Sequence, residues 1–301
     1  MTSHIQQQYV KEKKVLILGL GEMGSAVATN IAENQKNVKV NLWNRTYSKA
    51  KELEKNKDLS VLESLEEALN DSHLIINVLS CDSKTMKNIF RPYEKYLVGK
   101  NILQFTTLDL LQVEEMNNYY ESLNMGYLDG EFISSSVQVL AGKAFVVVSG
   151  KQETFSFFKE IIKNFGDVEY FSENILAAKT VGHSLFGVLY SSIFLFMHSC
   201  SVIKKSKVCD LKKFYDIFFS AYPTAVSWMK ILSEQVEENE YSGLKAGSTI
   251  KIDMNGYGHT INILEQIGMN CETHKSIYGI MKKAYDCGFG DKSLAKISEL
   301  F

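Results

Sequence analysis

The sequence predicts an α/β protein whose N-terminal part is a Rossmann doubly wound sheet and whose C-terminal part is all helical. Three observations predict it. A glycine-rich turn directly follows the first apolar run, further short apolar runs alternate with helix-like stretches as far as Gly150, and long 3.6-residue periodicities take over beyond it. A length of 301 residues suits two domains.

Residues 14–18 are a short apolar run that gives way to glycines and then to a helical pattern over 23–34, which reads as strand, tight turn and helix. Further strands are expected at 38–43, 74–78, 101–105, 125–128 and 144–148, with a last short one at 168–171. Strands that alternate with helices make the sheet mostly parallel. Long helices are expected at 173–207, 211–238 and 249–269. Residues 1–170 are therefore assigned to the Rossmann domain and residues 171–301 to the helical one, with a long interdomain helix at about 173–207.

Composition excludes several functions. The chain is 45% hydrophobic and 23% charged, with a formal net charge of −2 and both signs interspersed, which leaves no footprint for nucleic acid or an anionic membrane. Cys81, Cys200, Cys209, Cys271 and Cys287 lack CxxC or metal-ligand spacing, so reduced, mostly core thiols and no metal site are expected. Residues 1–14 lack the apolar run of a secretory signal. The longest apolar stretch, 185–197, falls short of the roughly 20 residues a membrane span needs. A cytoplasmic protein is expected, with that stretch as a buried core helix and no nucleic-acid or membrane partner.

Gly19, Leu20, Gly21, Glu22, Met23 and Gly24 fit GxGxxG between the first strand and first helix. In that context the first glycine permits a tight turn, the second lets backbone approach a pyrophosphate, and the third lets helix pack on strand. The second strand ends in Trp43, Asn44, Arg45 and Thr46, with Lys49 beyond, and no carboxylate stands where an NAD enzyme places one on the ribose. Arg45 offers a guanidinium fork for a 2′-phosphate, so NADPH is expected over NADH. Val78, Leu79, Ser80, Thr106 and Thr107 fall at carboxyl ends of expected strands, where ligands of open α/β sheets collect, although Ser80 and Thr107 equally suit turns or helix caps.

These residues, with LGLGEMG at 18–24, WNRT at 43–46, YLDG at 127–130, VSG at 148–150, EYSG at 240–243 and GFGDKSLAKISEL at 288–300, resemble the imine reductases. That family is a branch of the β-hydroxyacid dehydrogenase and 6-phosphogluconate dehydrogenase-like group. The resemblance spans nearly the whole chain. It implies a Rossmann domain, a long interdomain helix, and a helical domain interlocked with its twin in a homodimer, with the active site between subunits. It also implies cofactor roles for Gly19, Gly21, Gly24, Asn44, Arg45 and Thr46.

The chain departs from the family at the catalytic position. Where imine reductases carry Asp or Tyr, and β-hydroxyacid dehydrogenases Lys, this chain has Gly182. His183 is adjacent and Lys179 lies one turn earlier on roughly the same face. An imidazole titrates near neutrality, which makes His183 a candidate acid, while a lone histidine on an apolar helix also suits a core. Lys179 is the alternative donor and otherwise a surface lysine. Tyr190, two turns on, is a pocket wall, a phenol donor or a core residue. Ser134, Ser135 and Ser136 are rim candidates or a polar loop; Lys251, Asp253 and His259 share one helix without an assignable role. The aromatics Tyr215, Phe218, Phe219, Tyr222 and Trp228 suit a pocket wall or, more simply, a helix core.

The function expected is an NADPH-dependent oxidoreductase that transfers a hydride to the C=N bond of a cyclic imine or iminium ion. Two others stay open: a β-hydroxyacid-type dehydrogenase using Lys179, and a catalytically silent NADPH-binding protein.

Overall fold

A computed structural model describes residues 13–301. The strands are β1 Lys13–Leu18, β2 Val38–Trp43, β3 Leu59–Val61, β4 Leu74–Asn77, β5 Asn101–Gln104, β6 Gly126–Phe132, β7 Ala144–Gly150 and β8 Gly166–Tyr170. They form one eight-stranded sheet in the order β3-β2-β1-β4-β5-β6-β7-β8. All neighbours are parallel except β6 and β7, which run antiparallel. The short β3 has no counterpart among the expected strands, because Leu-Ser-Val is too brief to display a period.

The sheet is buried on both faces, which is why β1 reads as a continuous apolar run instead of an alternation. Val15 and Ile17 enter one core with α1 (Glu22–Asn34) and α8 (Gln152–Ile162). Leu16 and Leu18 enter the other, with α3 (Leu65–Asn70), α4 (Ser83–Phe90) and α6 (Leu110–Ser122). The short helices α2 (Tyr47–Lys51), α5 (Glu94–Leu97) and α7 (Ser136–Leu140) complete this part.

Beyond β8 every α or β element is helical: α9 Ala177–Ser206, α10 Leu211–Glu238, α11 Gly243–Ala246, α12 Ile250–Gln266 and α13 Glu272–Ala284. Two compact units are distinguished, one ending at Leu189 and the other spanning Tyr190–Phe301. Asp210 caps α10 through the Lys213 N–H, and Asn239 ends it in the left-handed region. Within the second unit, buried Ser293 donates to Gln235 Oε1, and Gln235 Nε2 donates to the Ser242 carbonyl. The EYSG turn and the C-terminal GFGDKSLAKISEL segment thus meet on α10.

Two expectations are corrected. The 185–197 stretch is no buried core helix: Val188, Tyr190, Ile193, Phe194 and Met197 of α9 are all more than half exposed in the single chain. Among the described residues α9 is also the one helix long and apolar enough to cross a membrane, with a mean hydropathy of 1.6, because its helix extends well beyond residues 185–197 on both sides. Of the cysteines, only Cys200 and Cys271 are buried, while Cys81 and Cys209 are half-buried and Cys287 is exposed.

Candidate functional site

Strand order reverses between β1 and β4, and the crevice at such a switch point is where open α/β sheets bind ligands. Gly19 leaves β1 with φ of 90°, a conformation that favours glycine. A Cβ on it would lie 2.8 Å from the Leu79 amide nitrogen and the Val78 carbonyl oxygen, and one on Gly24 would lie 1.8 Å from the Gly19 carbonyl oxygen. Gly21 differs, since a Cβ there would meet nothing within 4 Å. Two glycines are therefore demanded by the chain's own packing, and the third fronts open space.

Gly21 is the N-cap of α1 and no side chain caps that helix, so its first-turn amides point into the same space. Leu20 is buried and Met23 packs on the core, which leaves exposed Glu22 and the backbone to face a ligand. Asn44 braces the turn: its Oδ1 accepts from the Leu20 N–H at 3.0 Å, and its Nδ2 donates to the Thr46 carbonyl at 2.9 Å. Arg45, Thr46 and Lys49 are exposed beside it. Across the crevice Val78 is half-buried, Leu79 buried and Ser80 exposed, while Thr106 is buried with no partner for its hydroxyl among the described residues. An open cradle before an uncapped helix, two surface cations and an orphaned hydroxyl fit a phosphorylated dinucleotide.

Next to Thr106 a cavity of about 440 Å³ is lined by Thr107, Leu108, Asp109, Leu110, Lys179, Thr180 and His183. His183 is exposed at its rim, with an edge-on contact to Phe186. Lys179 is no surface lysine, being fully buried. Its Nζ donates to the Gly130 carbonyl at 3.1 Å and to Glu131 Oε2 at 2.5 Å, and lies 3.6 Å from Asp129 Oδ2. Gly182 sits opposite Glu131, where a Cβ would fall 2.6 Å from Glu131 Cγ and 2.9 Å from its Cβ. The bare helix position is the space the glutamate occupies.

The carboxyl cluster continues into the sheet. Asn77, Gln104, Asp129 and Ser149 lie in register across β4, β5, β6 and β7, and all are fully buried. Asn77 donates to Gln104 Oε1 at 3.3 Å, Gln104 Nε2 to the Tyr127 hydroxyl at 3.3 Å, and Tyr127 to Asp129 Oδ1 at 3.0 Å. Tyr120 also donates to Gln104 Oε1. Burial pushes both tyrosine hydroxyls well above their ordinary range, so they stay protonated donors. Burial likewise raises Asp129 to about 7, against the opposing pull of Lys179. Neither Asp129 nor Glu131 was among the candidates expected as site residues.

The remaining candidates fall elsewhere. Tyr190 is 55% exposed and stacks near Phe194, which removes its core-packing role in the single chain. Ser134 accepts from the Phe145 N–H and Ser135 caps α7 reciprocally with Gln138, so these serines shape the turn before Ser136. Asp253 accepts from Ser248, while Lys251 and His259 are exposed on α12. The α10 aromatics cluster around Phe196 of α9: Phe214, Tyr215, Phe218 and Phe219 all lie within about 6 Å of its ring. No group of three or more ligating side chains able to hold a metal occurs among the described residues.

The sheet order and glycine turn define a dinucleotide-binding protein. Residues 14–178 match the NAD binding domain of 6-phosphogluconate dehydrogenase, and the chain belongs to that family. An imine reductase from Pseudomonas sp. superposes with a TM-score of 0.87 at 18% identity, covering 96% of this chain and 99% of that one. A reductive aminase from Aspergillus terreus, solved with NADPH and ethyl levulinate, gives 0.87 at 20% identity over the same shares. An imine reductase from Myxococcus stipitatus in complex with NADP+ gives 0.86 at 17%, covering 95% and 99%. These likenesses show a shared fold. A shikimate dehydrogenase (NADP(+)) of Aquifex aeolicus is 40% identical over 75 residues, which span 25% of this chain and about a quarter, 27%, of that enzyme.

Proposed function

We propose that the protein is an NADPH-dependent reductase of the C=N bond in cyclic imines or iminium ions. One observation carries this beyond dinucleotide binding: Lys179, among the described residues the one ammonium lining the cavity beside Thr106, is already engaged by two buried carboxyl groups. An ammonium so engaged is not free to hold the carboxylate of a hydroxy acid, and Asp109, the one acidic side chain among the described residues lining the cavity, suits a cationic or basic substrate, which is why the imine reading is preferred to the Lys179 dehydrogenase. The named imine reductases and reductive aminase that share the fold point the same way.

In this reading residues 1–170 hold the cofactor and residues 171–301 supply dimer contacts. Gly19, Gly21 and Gly24 with the α1 amides take the diphosphate; Arg45, Thr46 and Lys49 take the 2′-phosphate; Val78, Leu79, Ser80 and Thr106 border the nicotinamide half. Bound NADPH supplies the hydride. Asp109 favours positive charge on nitrogen, and Lys179 and His183 are the groups able to hand it a proton. The exposed apolar face of α9 is covered by a second copy in a cytoplasmic homodimer.

The test is NADPH oxidation by the purified protein with a cyclic imine, its N-methyl iminium and a 3-oxo acid side by side. Turnover of the nitrogen compounds is expected. Turnover of the oxo acid alone would move the protein to the hydroxyacid branch, and cofactor binding with no turnover at all would make it a silent binding protein.

A further inference from the structure

We propose that Asp129, Glu131 and Lys179 act together as a buried proton store that restocks the proton handed into the cavity beside Lys179 and His183; this rests on the imine-reducing reading above. Alternation along β6 puts Tyr127, Asp129 and Glu131 on one face, where Lys179 of α9 meets both carboxyls. Two carboxyls then share one ammonium in a site closed to water, since Asp129 and Lys179 are fully buried and Glu131 is 5% exposed. A second negative charge there has no counter-ion, so the stable arrangement keeps one proton on the carboxyl pair.

The seat for that proton is visible. Asp129 Oδ1 accepts from Tyr127, while Asp129 Oδ2 is buried and makes no hydrogen bond among the described residues, Lys179 Nζ standing 3.6 Å away. The titratable groups facing the pair are Lys179 on α9, Tyr127 on β6 and, through Gln104, Tyr120 on α6; the last two are donors only. Burial sets Asp129 to about 7, so the proton is held, yet exchangeable, near neutrality. Gly182 makes the cluster possible, because any side chain there would displace Glu131.

The chemistry balances. As the imine carbon gains a hydride from the reduced dinucleotide, the C=N π pair moves to nitrogen, which takes a proton from Lys179 Nζ. The neutral lysine recovers a proton from the carboxyl pair, and after the product leaves, solvent in the cavity at the His183 rim restores that one by way of Lys179, which lines the cavity and contacts both carboxyls. An N-methyl iminium already carries its charge and draws nothing from the store.

Two measurements test this. In cofactor-free protein near pH 6, the infrared stretch of a protonated buried carboxyl is expected in the wild type and absent in both Asp129→Asn and Glu131→Gln, since either change leaves one carboxylate matched to one ammonium. In turnover, Glu131→Gln is expected to slow reduction of a cyclic imine by about 10-fold or more while leaving the N-methyl iminium within about twofold. The pair Glu131→Ala with Gly182→Asp, which returns a carboxyl to the same space from the helix, is expected to recover much of the imine rate. Equal loss on both substrates, or a band that survives both single variants, would overturn the store. A band that behaves as expected in a wild-type protein that reduces neither nitrogen compound would overturn the imine reading, and the delivery step with it.

Discussion

Replacing Lys179 by Met keeps the aliphatic stem and removes the charge that two buried carboxyls face. Lys179 and Asp129 are fully buried, and the Glu131 side chain is 7% exposed, so solvent cannot make up the loss. Removing one partner of a buried ion pair costs about 3–5 kcal/mol. The sign with pH follows from linkage. In the variant both carboxyls stay protonated when folded and ionise when unfolded, near about pH 4. Their folded values are raised, so their contribution is fully present below the unfolded values and is lost as pH rises, by about 1.4 kcal/mol per unit for each group.

Wild-type Asp129 already behaves this way up to about 7, so the extra slope of the variant comes from the second proton held on the pair and, above pH 7, from Asp129 as well. The penalty is therefore expected to be small near pH 5 and to reach about 3 kcal/mol or more near pH 8. Urea unfolding at both pH values measures it as a shift in midpoint at constant slope. A loss under about 1 kcal/mol, or the same loss at both pH values, would refute the reasoning.

Three further outcomes are expected. Arg45→Ala weakens NADPH by about 10–100-fold and NADH hardly at all, by titration of each cofactor; equal losses would show that Arg45 does not hold a 2′-phosphate. Gly21→Ala leaves unfolding within about 0.5 kcal/mol while weakening NADPH about 10-fold, whereas Gly24→Ala, with its Cβ 1.8 Å from the Gly19 oxygen, loses about 1–3 kcal/mol of stability. The reverse ranking would place the cradle elsewhere. His183→Ala slows imine reduction more than iminium reduction, and an unchanged ratio of the two rates takes His183 out of the proton path.

The fold was largely legible, for identifiable reasons. The β1 run, the glycine turn and α1 carry local signals of period and turn chemistry, and β2 lies at 38–43, where its apolar run was read. The short β3 and the antiparallel β6–β7 pair lack such signals, because pairing direction depends on residues far apart in sequence. At the site, Gly21 and Arg45 announce themselves by motif. The carboxyl cluster does not, since Lys179, Asp129 and Glu131 meet only through the packing of α9 on β6. Two hints were present all the same: Tyr127, Asp129 and Glu131 alternate on one strand face, and Gly182 leaves a bare notch in an apolar helix. The exposed face of α9 was misjudged for a similar reason, as hydropathy marks an apolar residue without saying whether its own chain or another covers it.

The most direct test of the central claim follows deuterium from the 4-position of labelled NADPH into a cyclic imine. The account predicts one deuterium on the former C=N carbon of the amine product, with matched loss of the reduced cofactor. An unlabelled amine, or label delivered only to a 3-oxo acid, would contradict it.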